Sequence, residues 1–137
     1  MTEFDFYQDK KYAIVKLREL YEWVGDKPSA GLEQRIEISN QDISAVFVDI
    51  EDKEFWNIQM DRDPLGIMVR YAKRSFEAKK PLVFYNIGEH GRRNIVYSGF
   101  IRLREVKSPL LSFTPENLKN AVEQYFQGNL KQVENKR

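Results

Sequence analysis

A chain of 137 residues with 42% hydrophobic and 31% charged residues has the size and composition of one globular domain with a well-solvated surface. The absence of cysteine excludes disulfides and thiolate chemistry, and a single histidine excludes a site built from several histidine ligands. Net charge is only +1, no apolar run reaches the length of a membrane span, and the N-terminus lacks a signal-peptide layout, so we expect a cytoplasmic protein without a membrane partner.

The N-terminal half has the sequence patterns of β-strands. After a flexible N-terminus over residues 1–11, apolar alternation and β-branched residues predict strands over 12–24, 35–38, 43–50 and 55–60. The segment 12–24 also fits a helix, because its apolar residues recur at both spacings. The turn-rich stretch 25–31 favours a strand there, since it leads directly into another strand-like run.

The C-terminal half mixes helices with strands. Four elements are predicted in order: a helix over 63–80, strands over 82–87 and 94–106, and a helix over 114–128. Pro64 suits the first turn of the earlier helix and Pro81 ends it, while Gly128 is a natural stop for the later one. The two strands are expected to pair as a hairpin.

This order of elements predicts one α+β domain over residues 12–128, followed by a polar tail over 129–137. Because strands outnumber helices and follow one another closely, we expect a curved antiparallel sheet or a small OB-like barrel. One helix is inserted between strands, and one helix closes the domain.

Charge is distributed unevenly along the chain. Residues 1–65 carry 8 Lys and Arg against 15 Asp and Glu, whereas residues 66–107 carry 10 against 3. A basic block of this kind is typical of a surface that meets a polyanion. The alternative is that the acidic and basic parts face each other within the domain and neutralise each other.

The sequence shows no recognisable catalytic centre and implies no cofactor. His90 lies in a predicted loop, where a solvent-exposed polar role is the ordinary interpretation. A metal-dependent nuclease is a minor alternative, because Asp49 and Glu51 lie two residues apart and Lys53 completes an acid-x-Lys pattern. A solvated turn between two strands explains the same residues.

The basic block carries the leading functional hypothesis, which is binding of single-stranded nucleic acid. Such binding needs cations that follow phosphates and aromatic rings on which bases stack. Candidate residues are Phe100, Arg102 and Arg104 on one strand face, Arg92 and Arg93 at the hairpin tip, Tyr85 on the neighbouring strand, and Lys73 and Arg74 on the inserted helix. A plain solvated face is the competing interpretation.

The layout of residues 12–106 resembles the filamentous-phage gene V type of single-stranded-DNA-binding protein. The pattern is carried by the turn at 25–29, the strand with Ile36 and Ile38, the apolar run that ends at 49–52, and the final hairpin with Ile101-Arg102-Leu103. The helices near 63–80 and at the C-terminus depart from that family. The resemblance implies an OB-like barrel, nonspecific single-stranded-DNA binding, a homodimer, and an accessory role on a phage or mobile element.

A second hypothesis is a protein-interaction or inhibitor module that uses the acidic N-terminal half. The acidic residues Asp49, Glu51, Asp52 and Glu54 would then meet a basic protein surface. The two hypotheses differ in a way that a structure addresses. If the acidic and basic segments cover separate surfaces, each is available for a ligand.

Overall fold

A computed structural model describes residues 3–17, 42–53, 56, 64–77, 79–95, 97–111 and 113–128. The strands are β1 (Glu3–Tyr7), β2 (Lys10–Lys16), β3 (Ala45–Asp49) and β4 (Leu82–Tyr85). The helices are α1 (Pro64–Glu77), α2 (Glu89–Asn94), α3 (Tyr97–Glu105) and α4 (Leu118–Gln127), with a 3-10 turn at Pro115–Asn117 before α4. Within these ranges, no helix is both long and apolar enough to cross a bilayer.

The four strands form one mixed sheet in the order β1-β2-β3-β4. β1 and β2 are an antiparallel hairpin, whereas β2, β3 and β4 run parallel, and Leu110 adds a parallel bridge to Phe84. The predicted α+β class and C-terminal helix are confirmed. The barrel is not confirmed, because over the described residues the sheet is open. β3 and β4 can run parallel because α1 lies between them along the chain and provides the long crossover that parallel neighbours need.

Helices cover both faces of this sheet. On β3, Val46 and Val48 face one core with side chains from α1 and α3, such as Met68 and Leu103. Phe47 faces the opposite core, which α4 covers. A strand buried on both faces has no polar alternation, which is why 45–48 reads as a continuous apolar run. The domain therefore has three layers.

The segment 94–106 was predicted as a strand, and this prediction is wrong. α3 occupies residues 97–105 of this segment, and Asn94 is the last residue of α2. Within α3, Gly99 and Leu103 lie four residues apart and are buried, whereas Ile101 between them is 37% exposed. That is the burial pattern of one helical face. The prediction failed because a run with apolar residues at every second position also has them at every fourth position. The same residues therefore fit the spacing of a strand and that of a helix.

The N-terminal residues, predicted to be flexible, form a strand from residue 3 onward. β1 pairs along its whole length with β2, Phe4 packs against the core, and the ring of Tyr7 stacks on Phe126 with centroids 5.7 Å apart. Ladder hydrogen bonds and these two aromatic contacts order the segment. Phe6 is 60% exposed, and its N–H donates to Oδ1 of Asp5 at 2.8 Å.

Three other predicted segments lie mostly outside the described residues. These are the strand at 35–38, the strand at 55–60 apart from Trp56, and the tail at 129–137. Of the ambiguous segment 12–24, residues up to 16 belong to β2, which confirms a strand for that part.

The helices α1 and α3 end in the same way. After α1, the N–H of Lys80 donates to the carbonyl of Ser75 (2.8 Å), and the N–H of Lys79 donates to Phe76 (2.9 Å). After α3, Ser108 and Lys107 make the equivalent bonds at 3.1 Å each. This is the Schellman motif, whose turning residue adopts a left-handed conformation and is usually glycine. Here the turning residues are lysines, with φ of 63° at Lys79 and 58° at Lys107.

Candidate functional site

Polar side chains collect where β3 and β4 end. Asp49 is the last residue of β3, and Nδ2 of Asn86, directly after β4, donates to its Oδ1 at 2.9 Å. The N–H of Glu51 donates to the same oxygen at 3.0 Å. Ligand sites in open sheets with parallel strands form beyond the carboxyl ends of those strands. This carboxyl end of the sheet is therefore the first place to test for function.

The carboxylate of Glu51 lies against the first turn of α2. Its Oε1 accepts from the N–H of Gly91 (3.0 Å), and its Oε2 accepts from the N–H of His90 (3.2 Å) and lies 3.1 Å from Nδ1 of the same residue. A negative charge here also complements the helix dipole. Glu51 thus joins the end of β3 to the segment after β4, and His90 contacts a carboxylate at this end of the sheet.

The pKa values of the two carboxyl groups at this end, Asp49 and Glu51, are shifted in opposite directions. Burial raises the pKa of Asp49, and the hydrogen bonds from Asn86 and from the N–H of Glu51 only partly offset that effect. At Glu51, burial also acts to raise the pKa, but the hydrogen bonds from His90 and Gly91 outweigh it and lower the pKa. Asp49 is therefore the group that takes up a proton more readily than an ordinary aspartate.

The acidic cluster is turned largely inward. Asp49 and Glu51 are half-buried and bonded as described, Asp52 is only 7% exposed, and Glu54 lies outside the described residues. A cation at Glu51 would have to replace its bonds to α2. Among the described residues there is no group of three or more acidic or histidine side chains that could hold a metal ion. Asp49 and Glu51 thus make internal connections, and with Asp52 buried the three described members offer little acidic surface to a partner.

Gly88 is required by the close approach of Glu51. A Cβ at residue 88 would lie 2.6 Å from Cδ of Glu51, although the backbone of Gly88 is extended (φ −102°) and suits alanine. We expect Gly88→Ala to lower the free energy of unfolding by about 2 kcal/mol, because Glu51 must give up bonds to α2 to make room. Urea denaturation measures the change.

The control for this contact is the same substitution in a Glu51→Ala protein. Without the glutamate side chain, the added Cβ meets no carboxyl group, so we expect Gly88→Ala to cost less than about 0.5 kcal/mol there. An equal cost in both backgrounds would show that the glycine is needed for another reason.

Apart from Tyr85 on β4, the predicted nucleic-acid-binding residues are distributed over three helices. Lys73 is exposed on α1, Arg92 and Arg93 are exposed on α2, and on α3 Arg102 is half-buried and Arg104 exposed. Arg93 forms an ion pair with Glu89 one turn earlier. Two further candidates, Arg74 and Phe100, belong to α1 and α3, but their side chains lie outside the described set.

The structure corrects the predicted stacking platform. Tyr85 is 3% exposed and faces the core under α4, whereas α1 and α3 cover the opposite face of the sheet. Side chains alternate between faces along a strand, so Tyr85 is separated from the basic helices by the sheet itself. Because 97–105 is a helix, there is also no strand face that aligns Phe100 with Arg102 and Arg104.

The basic residues are divided between the two ends of the sheet. α2 follows β4 and lies at the carboxyl end, with Arg92 and Arg93. α3 then returns to the amino end, since Ser108 beyond it donates to the carbonyl of Leu82, the first residue of β4. Nine residues of helix span about 13 Å, so Arg104 is far from Arg92.

The sequence interpretation missed a group of lysines at the amino end. Lys79 and Lys80 follow α1, and Lys107 follows α3, all close to where the parallel strands begin. A signal was present in the sequence: the pattern Lys-x-Pro-Leu occurs at 79–82 and again at 107–110. In both places it turns the chain from a helix into a buried strand segment.

No protein-family model matches this sequence, and no match was found among curated proteins or solved structures. The resemblance to gene V type proteins therefore stays a prediction. The residues Ile101-Arg102-Leu103, which the resemblance places in a strand, lie in the helix α3.

Proposed function

We propose that this domain binds nucleic acid through phosphate contacts made by exposed arginines and lysines on its helices, without catalysing a reaction. The preference for single strands that the sequence suggested rested on an aromatic strand face, and Tyr85 is buried while residue 100 is helical. The proposal therefore concerns the phosphate backbone. Whether one strand or two is preferred is a result of the test.

The observation that carries the proposal is that the described acidic cluster does not neutralise the basic helices. Asp49 and Glu51 are bonded to amide groups and to His90 at the carboxyl end of the sheet. Neither Arg92 nor Arg104 has a carboxylate within 4 Å among the residues that the structure describes. Their charges are thus available to a polyanion, which is the condition under which counterion release favours binding.

Fluorescence anisotropy with labelled single- and double-stranded oligonucleotides at several salt concentrations tests this function. We expect log affinity to fall linearly with log salt, by roughly 0.7 per neutralised phosphate for a single strand and 0.9 for a duplex. Arg104→Ala is expected to weaken binding about threefold to tenfold, the usual value of one charge-assisted contact.

The matched control is Lys119→Ala, which removes the same charge from an exposed position on α4, on the opposite layer. We expect it to change affinity by less than about twofold, the effect of net charge alone. The absence of binding at low salt, or an equal loss for Lys119→Ala and Arg104→Ala, would rule out the proposed surface.

A further inference from the structure

Resting on the proposed function, we infer that the phosphate-binding centre is the amino end of the parallel strands, where Lys79 and Lys107 turn the chain out of α1 and α3. Lys80 and Arg104 lie beside them and complete a cationic group, which we name the amino-end cluster. Its ligand is the sugar-phosphate backbone of a nucleic acid.

The fold holds the two turning lysines side by side. Pro81 accepts from the N–H of Val46 on β3 (2.9 Å), and Pro109 accepts from the N–H of Phe84 on β4 (2.9 Å). The hydroxyl of Ser108, the residue after Lys107, donates to the carbonyl of Leu82. The segment after α3 is therefore a neighbour of β4, joined to it by the parallel bridge between Leu110 and Phe84, at a spacing of about 4.8 Å. Both lysines therefore lie at the amino end of the sheet.

The conformation of these lysines is the second observation. A left-handed backbone is unfavourable for any residue with a Cβ, and glycine occupies this position in most Schellman motifs. Gly128 does so after α4, with φ of 80°. On the opposite layer, both helices that end at the amino end of the sheet use lysine instead. Non-glycine residues held in this conformation are concentrated at functional sites.

A purely structural role does not account for the pair. Lysine near a helix C-terminus interacts favourably with the dipole, but Lys80 and Arg104 already place positive charge at these two helix ends. Exposed Glu105 is the carboxylate nearest in sequence to Lys107, and no ion pair joins it to the cluster among the described residues. A surface whose cations have no carboxylate partner among the described residues is suited to an anionic polymer.

The test is the double substitution Lys79→Gly and Lys107→Gly. Glycine relieves the left-handed conformation, so we expect the melting temperature to rise by about 3 °C or more. Affinity for a labelled oligonucleotide of about 20 nucleotides is expected to fall about tenfold, with a shallower salt dependence. A gain in stability together with a loss of binding is not expected of residues with only a structural role.

Two further variants make the outcome decisive. Lys79→Arg with Lys107→Arg keeps both charges and is expected to retain affinity within about threefold. Arg92→Ala with Arg93→Ala removes two charges from the carboxyl end instead, and is expected to weaken binding less than the double glycine variant. If the glycine variant binds as tightly as the unaltered protein and the α2 variant binds more weakly, the amino-end cluster is not the site and the proposed function stands. If the unaltered protein does not bind the oligonucleotide, both proposals are wrong.

Discussion

Replacement of Phe47 by alanine is expected to lower the free energy of unfolding by about 4 kcal/mol, because a large, fully buried ring is removed from the core. The side chain is 0% exposed and lies on β3, an interior strand of the sheet. Its ring packs on Tyr12, Tyr125 and Phe126, with centroid distances of 5.3, 5.7 and 6.4 Å. Removing it leaves a cavity between the sheet and α4, and fixed rings on both sides oppose its collapse.

The matched control is Phe6→Ala, the same substitution on an edge strand. Phe6 is 60% exposed and its ring lies under Nζ of Lys11 at 5.9 Å, so we expect a cost below about 0.5 kcal/mol. Urea denaturation followed by circular dichroism measures both. Similar costs for the two variants would mean that α4 does not cover β3 as described.

Glu51→Gln is expected to cost about 2 kcal/mol at pH 7. Glutamine keeps one acceptor for the N–H of Gly91, but its amide nitrogen then faces the N–H of His90, and two donors cannot bond each other. The loss of the negative charge also removes the favourable interaction with the first turn of α2. The connection between β3 and the segment after β4 therefore loses its acceptor for the N–H of His90 and keeps only an uncharged acceptor for Gly91.

This cost is expected to depend on pH in a defined direction. The pKa of Glu51 is lowered in the folded protein, so its stabilising effect is complete above the ordinary pKa of a glutamate and is lost as pH falls through the lowered folded value. Asp49, whose pKa is raised, acts in the opposite sense, because the folded state takes up its proton first. Asp49 is present in both proteins, so its contribution to the free energy of unfolding cancels when the unaltered protein and Glu51→Gln are compared. The stability difference should therefore stay constant from pH 7 down to the ordinary pKa of a glutamate, about 4.3, and shrink as pH falls further through the lowered folded value.

Denaturation of both proteins across this pH range checks the prediction, and His90→Ala provides the control. That variant removes the ring contact at 3.1 Å but leaves both backbone donors to Glu51 in place, so a cost of only about 1 kcal/mol is expected. A difference between unaltered protein and Glu51→Gln that stays constant down to acid pH would show that the glutamate charge does not stabilise the fold.

The elements that could be predicted from the sequence are those with one strong local pattern. The run 45–48 is apolar at every position, and α1 begins with Pro64 and lies before Pro81. The last helix follows Pro115 and ends at Gly128, as predicted. In each case the residues that start or stop the element have a physical effect on the backbone that does not depend on the rest of the fold.

Strand direction and the partners of the acidic residues were not accessible in this way. Parallel pairing of β3 with β4 depends on how α1 packs across the sheet, which is a tertiary property. Glu51 and His90 are 39 residues apart, and nothing in the local sequence connects them. Their contact arises only because the neighbouring parallel strands β3 and β4 end at the same carboxyl end of the sheet.

The hydrogen bond from the N–H of Phe6 to Asp5 also bears on self-association. A strand at the edge of a sheet can recruit a strand from another molecule through its free backbone donors, and such addition is a common route to aggregation. In β1 one of these donors is already occupied by the preceding carboxylate, at 2.8 Å. Asp5 also places a charge on this strand. The acidic N-terminal half thus includes a residue that is placed to discourage β-strand addition at β1.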